Sequence, residues 1–69
     1  MVRQLVEIEP CDHGWRVRAP GREFECPTKF HAIEEAHAWA ARHYVETGQP
    51  TAVRVQVAGG GSVVVGSCG

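Results

Sequence analysis

From Arg3 to Glu9 the chain reads R-Q-L-V-E-I-E, with Val6 and Ile8 alternating against Glu7 and Glu9. Alternation with a period of two is the pattern of a half-buried strand. Cys11-Asp12-His13-Gly14 follows as a turn signal. Trp15-Arg16-Val17-Arg18 alternates again. Pro20-Gly21 suits the two central positions of a type II turn. Arg22-Glu23-Phe24-Glu25-Cys26 alternates a third time. The pattern predicts a three-stranded antiparallel meander.

Counting outward from the turns predicts the register. With Pro20-Gly21 central, Ala19 faces Arg22, Val17 faces Phe24 and Trp15 faces Cys26. With residues 11–14 as the first loop, Ile8 faces Val17, Glu7 faces Arg18 and Glu9 faces Arg16. One face is then apolar: Val6, Ile8, Trp15, Val17, Phe24 and Cys26. The other carries two charge rows, Glu7–Arg18–Glu23 and Glu9–Arg16–Glu25, in which every neighbour has the opposite sign. A slip of one residue would destroy both faces together.

Thr28 suits an N-cap and Gly48 a C′ residue, which predicts a helix of about 19 residues between them. At about 100° per residue, Ala32, Ile33, Ala36, Trp39, Ala40, His43 and Tyr44 share one face. His31, Glu34, Glu35, Arg42 and Glu46 cover the other. Val53, Val55 and Val57 then alternate with Arg54 and Gln56 as a fourth strand. Gly59-Gly60-Gly61 is a turn, and Ser62–Gly66 is a candidate fifth strand, pairing within the chain or with a second chain. The order is βββαβ(β), an α+β fold with a single helix packed on one sheet face. A right-handed crossover puts strand four parallel beside strand one, in the order 3-2-1-4-5.

The chain has 69 residues, with seven Lys/Arg against eight Asp/Glu and a formal net charge of -1. That length predicts one small domain, residues 1–69, with a thin core that a partner subunit would help to stabilise. The near-zero charge argues against a general nucleic-acid binder. Three cysteines, Cys11, Cys26 and Cys68, cannot all pair within one chain. The first residues show no signal-peptide pattern, and no apolar run reaches the roughly 18 residues that cross a bilayer. We expect a cytoplasmic protein with reduced thiols and no membrane partner.

Four histidines invite a metal reading. His31, His37 and His43 are six residues apart, so on a helix they point about 120° from one another and cannot share an ion. We read His31 and His37 as solvated and His43 as a rim residue. Cys11, His13 and Cys68 are candidates for a metal or redox site, without the spacing of a zinc motif. Cys26, on the apolar face, reads as a buried, inert thiol. The Gly59–Ser62 run lacks the lysine of a phosphate loop. Arg16, Arg18 and Arg54 share the open sheet face. The aromatic residues all fit core or rim positions, which leaves no stacking platform for a single strand.

The order Gly14-Trp15-Arg16-Val17, Thr28-Lys29 leading into Ala32-Ile33-Glu34-Glu35-Ala36, Val53-Arg54-Val55-Gln56-Val57, a glycine turn and Ser67-Cys68-Gly69 resembles the small bacterial proteins of the domain of unknown function 2188 family. That family's pattern runs G-x-W-x-V, T-K-x-E-A, a valine-rich strand, a glycine turn and a tail ending in Y-G. His31 departs from its acidic preference, and Cys68 from its aromatic one. The resemblance implies a compact βββαβ(β) fold and no assigned activity. The order also resembles the partial double-stranded-RNA-binding-like fold of HicB-type antitoxins, an analogy of fold alone.

These readings predict a non-enzymatic interaction module that self-associates as a dimer, without a cofactor. Its candidate interaction residues are Val53, Val55, Val63 and Val65. The alternatives are a nucleic-acid-linked, antitoxin-like accessory protein and a metal or redox site at Cys11, His13 and Cys68.

Overall fold

In the computed structural model, which describes residues 4–57 and 59–68, the alternating segments form the strands β1 (Gln4–Cys11), β2 (Gly14–Ala19) and β3 (Arg22–Cys26). The helix α1 (Lys29–Thr47) and the strands β4 (Thr51–Gln56) and β5 (Ser62–Cys68) follow. The five strands make one sheet in the order β3-β2-β1-β4-β5, with α1 packed on one face. β4 runs parallel to β1, and the other pairs are antiparallel. The chain is therefore α+β, with the fifth strand paired to β4 within the same chain.

The meander has the register that the alternation requires, with Ile8 opposite Val17 and Val17 opposite Phe24. The first turn is tighter than a four-residue loop. Cys11 pairs with Gly14, so only Asp12 and His13 lie between the strands. Gly14 is needed there for two reasons. Its φ is 139°, and a Cβ would overlap the Cys26 carbonyl oxygen and lie 3.1 Å from that of Pro27. Pro10 is tolerated because the β1–β4 pairing ends at Ile8 opposite Val55, so its missing N–H costs the sheet nothing on that side.

The helix starts where Thr28 Oγ1 accepts a hydrogen bond from the His31 N–H at 3.1 Å. It ends at Gly48, whose φ of 73° and N–H bond to the Tyr44 carbonyl close the last turn. Ala32, Ala36 and Ala40 are buried against Val6, Ile8, Val17, Val53 and Val55. Small residues on the helix let its backbone approach the branched side chains of the sheet. Trp39 and Ile33 fill the flanks. Tyr44, expected on the packed face, is instead exposed, because the alanine stripe sets the contact line and Tyr44 falls beyond it.

Val53 and Val55 are core residues, which removes them from the candidate interaction surface. Strand β5 runs two residues further than the valine pattern suggests. The β4–β5 register shifts between Val53 and Arg54, leaving Val65 as the extra residue of a bulge. Beyond the bulge Gly66 opposes Val53 and Cys68 opposes Thr51, so Cys68 packs against the core. No helix among the described residues is long and apolar enough to cross a membrane.

Candidate functional site

On the open face of the sheet the two charge rows, Glu7–Arg18–Glu23 and Glu9–Arg16–Glu25, stand in the expected register, and further ion pairs run between the rows. Arg54 stands directly opposite Glu7 across the parallel β1–β4 pair and takes its carboxylate. Arg18 reaches diagonally to Glu9 at 2.6 Å. Arg16 reaches Glu25 at 3.4 Å and Glu23 at 3.8 Å. Strand twist brings such diagonal neighbours within reach of long side chains. The carboxylates push the guanidinium pKa values of Arg16 and Arg18 upward, chiefly through the hydrogen bonds that these donate to Glu25 and Glu9 respectively. Among the described residues the three arginines of this face are thus paired, and the lattice spans four strands instead of three.

Cys11, His13 and Cys68 do not meet within the chain. Cys68 pairs with Thr51, which is level with Gln4 at the start of β1, whereas Cys11 ends β1. Seven residues of strand, roughly 23 Å at about 3.3 Å per residue, separate those two levels. Among the described residues no group of three His, Cys, Asp or Glu side chains is placed to hold a metal ion.

The histidines have individual structural partners. His31 Nε2 lies 3.4 Å from Glu35 Oε1. His43 stacks on Trp39 with ring centroids 4.6 Å apart and stands 3.4 Å from Gln49 Oε1. His37 is not solvated: it is half-buried, with its ring over Gly66 of β5. Phe30 corrects the expectation that every aromatic side chain lies in the core or its rim. It projects from the first turn of α1 and is 72% exposed.

The two sheet edges differ. β3 is one edge, and its five residues include Arg22, Glu23 and Glu25. β5 is the other, and its seven residues S-V-V-V-G-S-C carry no charge. Val63, Val64 and Val65 are 51%, 57% and 40% exposed. The helix flank above β5 is also apolar. Phe30, His37 and Tyr44 are seven residues apart, so they fall in one row along α1, and Val45 beside them is 82% exposed. Because His37 rests on Gly66, this row and the β5 edge form one continuous surface.

Between α1 and the β3 edge lies an open groove of about 290 Å³. Phe24 and Cys26 come from β3, and His31, Glu35, Trp39 and Arg42 from α1. The arrangement brings a thiol, an imidazole and a carboxylate to one place. Burial pushes the Cys26 thiol pKa up, and the Glu35 carboxylate adds to the effect. The thiolate that nucleophilic catalysis needs is therefore disfavoured. Sequence periodicity did not single out this groove, yet Arg22 has the same strand parity as Phe24 and Cys26. That parity was the available signal that a charge faces the helix side.

No protein-family model, curated protein or solved structure matches the chain.

Proposed function

We propose that this protein is a non-enzymatic interaction module that self-associates through the β5 edge. The observation that carries the reading is the contrast between the edges. β3 has a charged residue at three of five positions, which blunts unwanted pairing, whereas β5 is long, β-branched and uncharged. A second copy in antiparallel register would satisfy the outer backbone groups of β5. It would also bring the Phe30–Tyr44 flanks of two helices toward each other and give the isologous contact typical of homodimers. The motif order that resembles the domain of unknown function 2188 family is compatible with such a domain without an activity. The antitoxin-like reading has less support, since the arginines of the open face are engaged by glutamates.

Hydrogen exchange tests the reading directly. The outward amides of β5 should be protected at high protein concentration and exchange faster on dilution. Exchange of β5 that is fast at every concentration would overturn it.

A further inference from the structure

The groove between α1 and β3 has two chemically distinct ends. Toward the start of α1 lies the His31–Glu35 pair beside Cys26. Toward the end of α1 the groove continues into a hollow of about 310 Å³ shared by Arg22, Trp39, Arg42, His43 and Glu46. Arg22 and Arg42 line both stretches. Neither has a carboxylate within ion-pair distance among the described residues, unlike Arg16, Arg18 and Arg54. The Arg22 guanidinium lies 5.4 Å from the centre of the Phe24 ring. Glu46 is at the same end but is joined to neither arginine by an ion pair.

Two guanidinium groups without an ion pair among the described residues, where the groove meets the hollow, are complementary to an anion with an apolar body. Arginine suits this task because its planar fork binds a carboxylate through two parallel hydrogen bonds. Phe24, under the Arg22 guanidinium, and Trp39, stacked on His43, contribute the remaining exposed parts of their rings as apolar lining. The volume is near the lower limit of small-molecule sites, roughly 300 Å³. Of the neighbouring carboxylates, Glu25 is engaged by Arg16, Glu35 lies beside His31, and Glu46 shares the hollow without an ion pair to either arginine.

The geometry points to a binding site for a small organic carboxylate, with its headgroup between Arg22 and Arg42 and its apolar body over Phe24 and Trp39. The site is independent of the β5 surface, so it stands or falls separately from self-association.

The test is an NMR titration of the ¹⁵N-labelled full chain with 4-phenylbutyrate, with 4-phenylbutan-1-ol as the uncharged control. Saturable shifts should centre on Phe24, Cys26, Ala38 and the Trp39 indole. The alcohol should bind about tenfold more weakly. R22Q and R42Q should each weaken 4-phenylbutyrate about tenfold, while K29Q, which removes the same charge outside the groove, should change the affinity less than twofold. Native dispersion of each variant's spectrum shows that its fold is retained. Equal affinity for the alcohol, shifts centred on β5, or no saturable shift at 10 mM ligand, roughly the weak end of specific binding, would each overturn the proposal.

Discussion

The imidazole of His37 occupies the space where a side chain on Gly66 would lie. A Cβ built on Gly66 overlaps His37 Cε1 and comes within 2.7 Å of Nδ1. Helix and edge strand touch here because position 66 has no side chain. Gly66→Ala should therefore displace the His37 ring and destabilise the fold by about 1 kcal/mol, the low end of overpacking, because the clash is with a side-chain tip that can turn aside. The same change made in a His37→Ala background should cost less than about 1 kcal/mol, since contacting residues do not act additively. Urea unfolding of the four proteins measures both values.

Thr51 ties the next turn of the helix to the sheet. Its hydroxyl is fully buried and donates to the Ala40 carbonyl at 3.2 Å. Thr51→Val keeps the shape and removes the donor. We expect a loss of about 0.5–1.5 kcal/mol, the usual net value of one hydrogen bond, in the same unfolding assay.

Cys26 differs from the other two thiols in its surroundings. It is buried, whereas Cys11 and Cys68 are half-buried. Iodoacetamide at pH 8 should alkylate Cys26 last, which peptide mass spectrometry of a time course would show. Its thiol pKa is raised in the folded state, mainly by burial. The folded state therefore favours the neutral thiol. The associated stability is present at neutral pH and is lost as the pH rises from the ordinary thiol value through the raised one. A Cys26→Ala variant should show a smaller loss of stability across that alkaline window.

Much of the fold was legible because the sequence repeats one message at several levels. Glu7, Glu9, Arg16, Arg18, Glu23 and Glu25 alternate with Val6, Ile8, Val17, Phe24 and Cys26, so one register satisfies both faces. Thr28 and Gly48 mark the helix ends by independent capping chemistry. The details that escaped depend on geometry that periodicity does not encode. The Val65 bulge changes which β5 residues face the helix. The diagonal reach of Arg18 to Glu9 depends on sheet twist and on Arg54 claiming Glu7. The candidate Cys11–His13–Cys68 group was separated by strand direction, which only the assembled sheet reveals. The groove beside β3 needed both Arg22 on its strand and Arg42 on the helix to be placed together.

The claim that β5 is an interface makes a direct prediction about mass. Size exclusion with light scattering at tens of micromolar, about the range where modest interfaces assemble, should give twice the 7.5 kDa chain mass. Val64→Lys places a charge on the open face of the β5 edge and should shift the dimer toward monomer by at least about tenfold in concentration, with the helix content unchanged. A wild-type chain that elutes at 7.5 kDa across the whole concentration range would contradict the account.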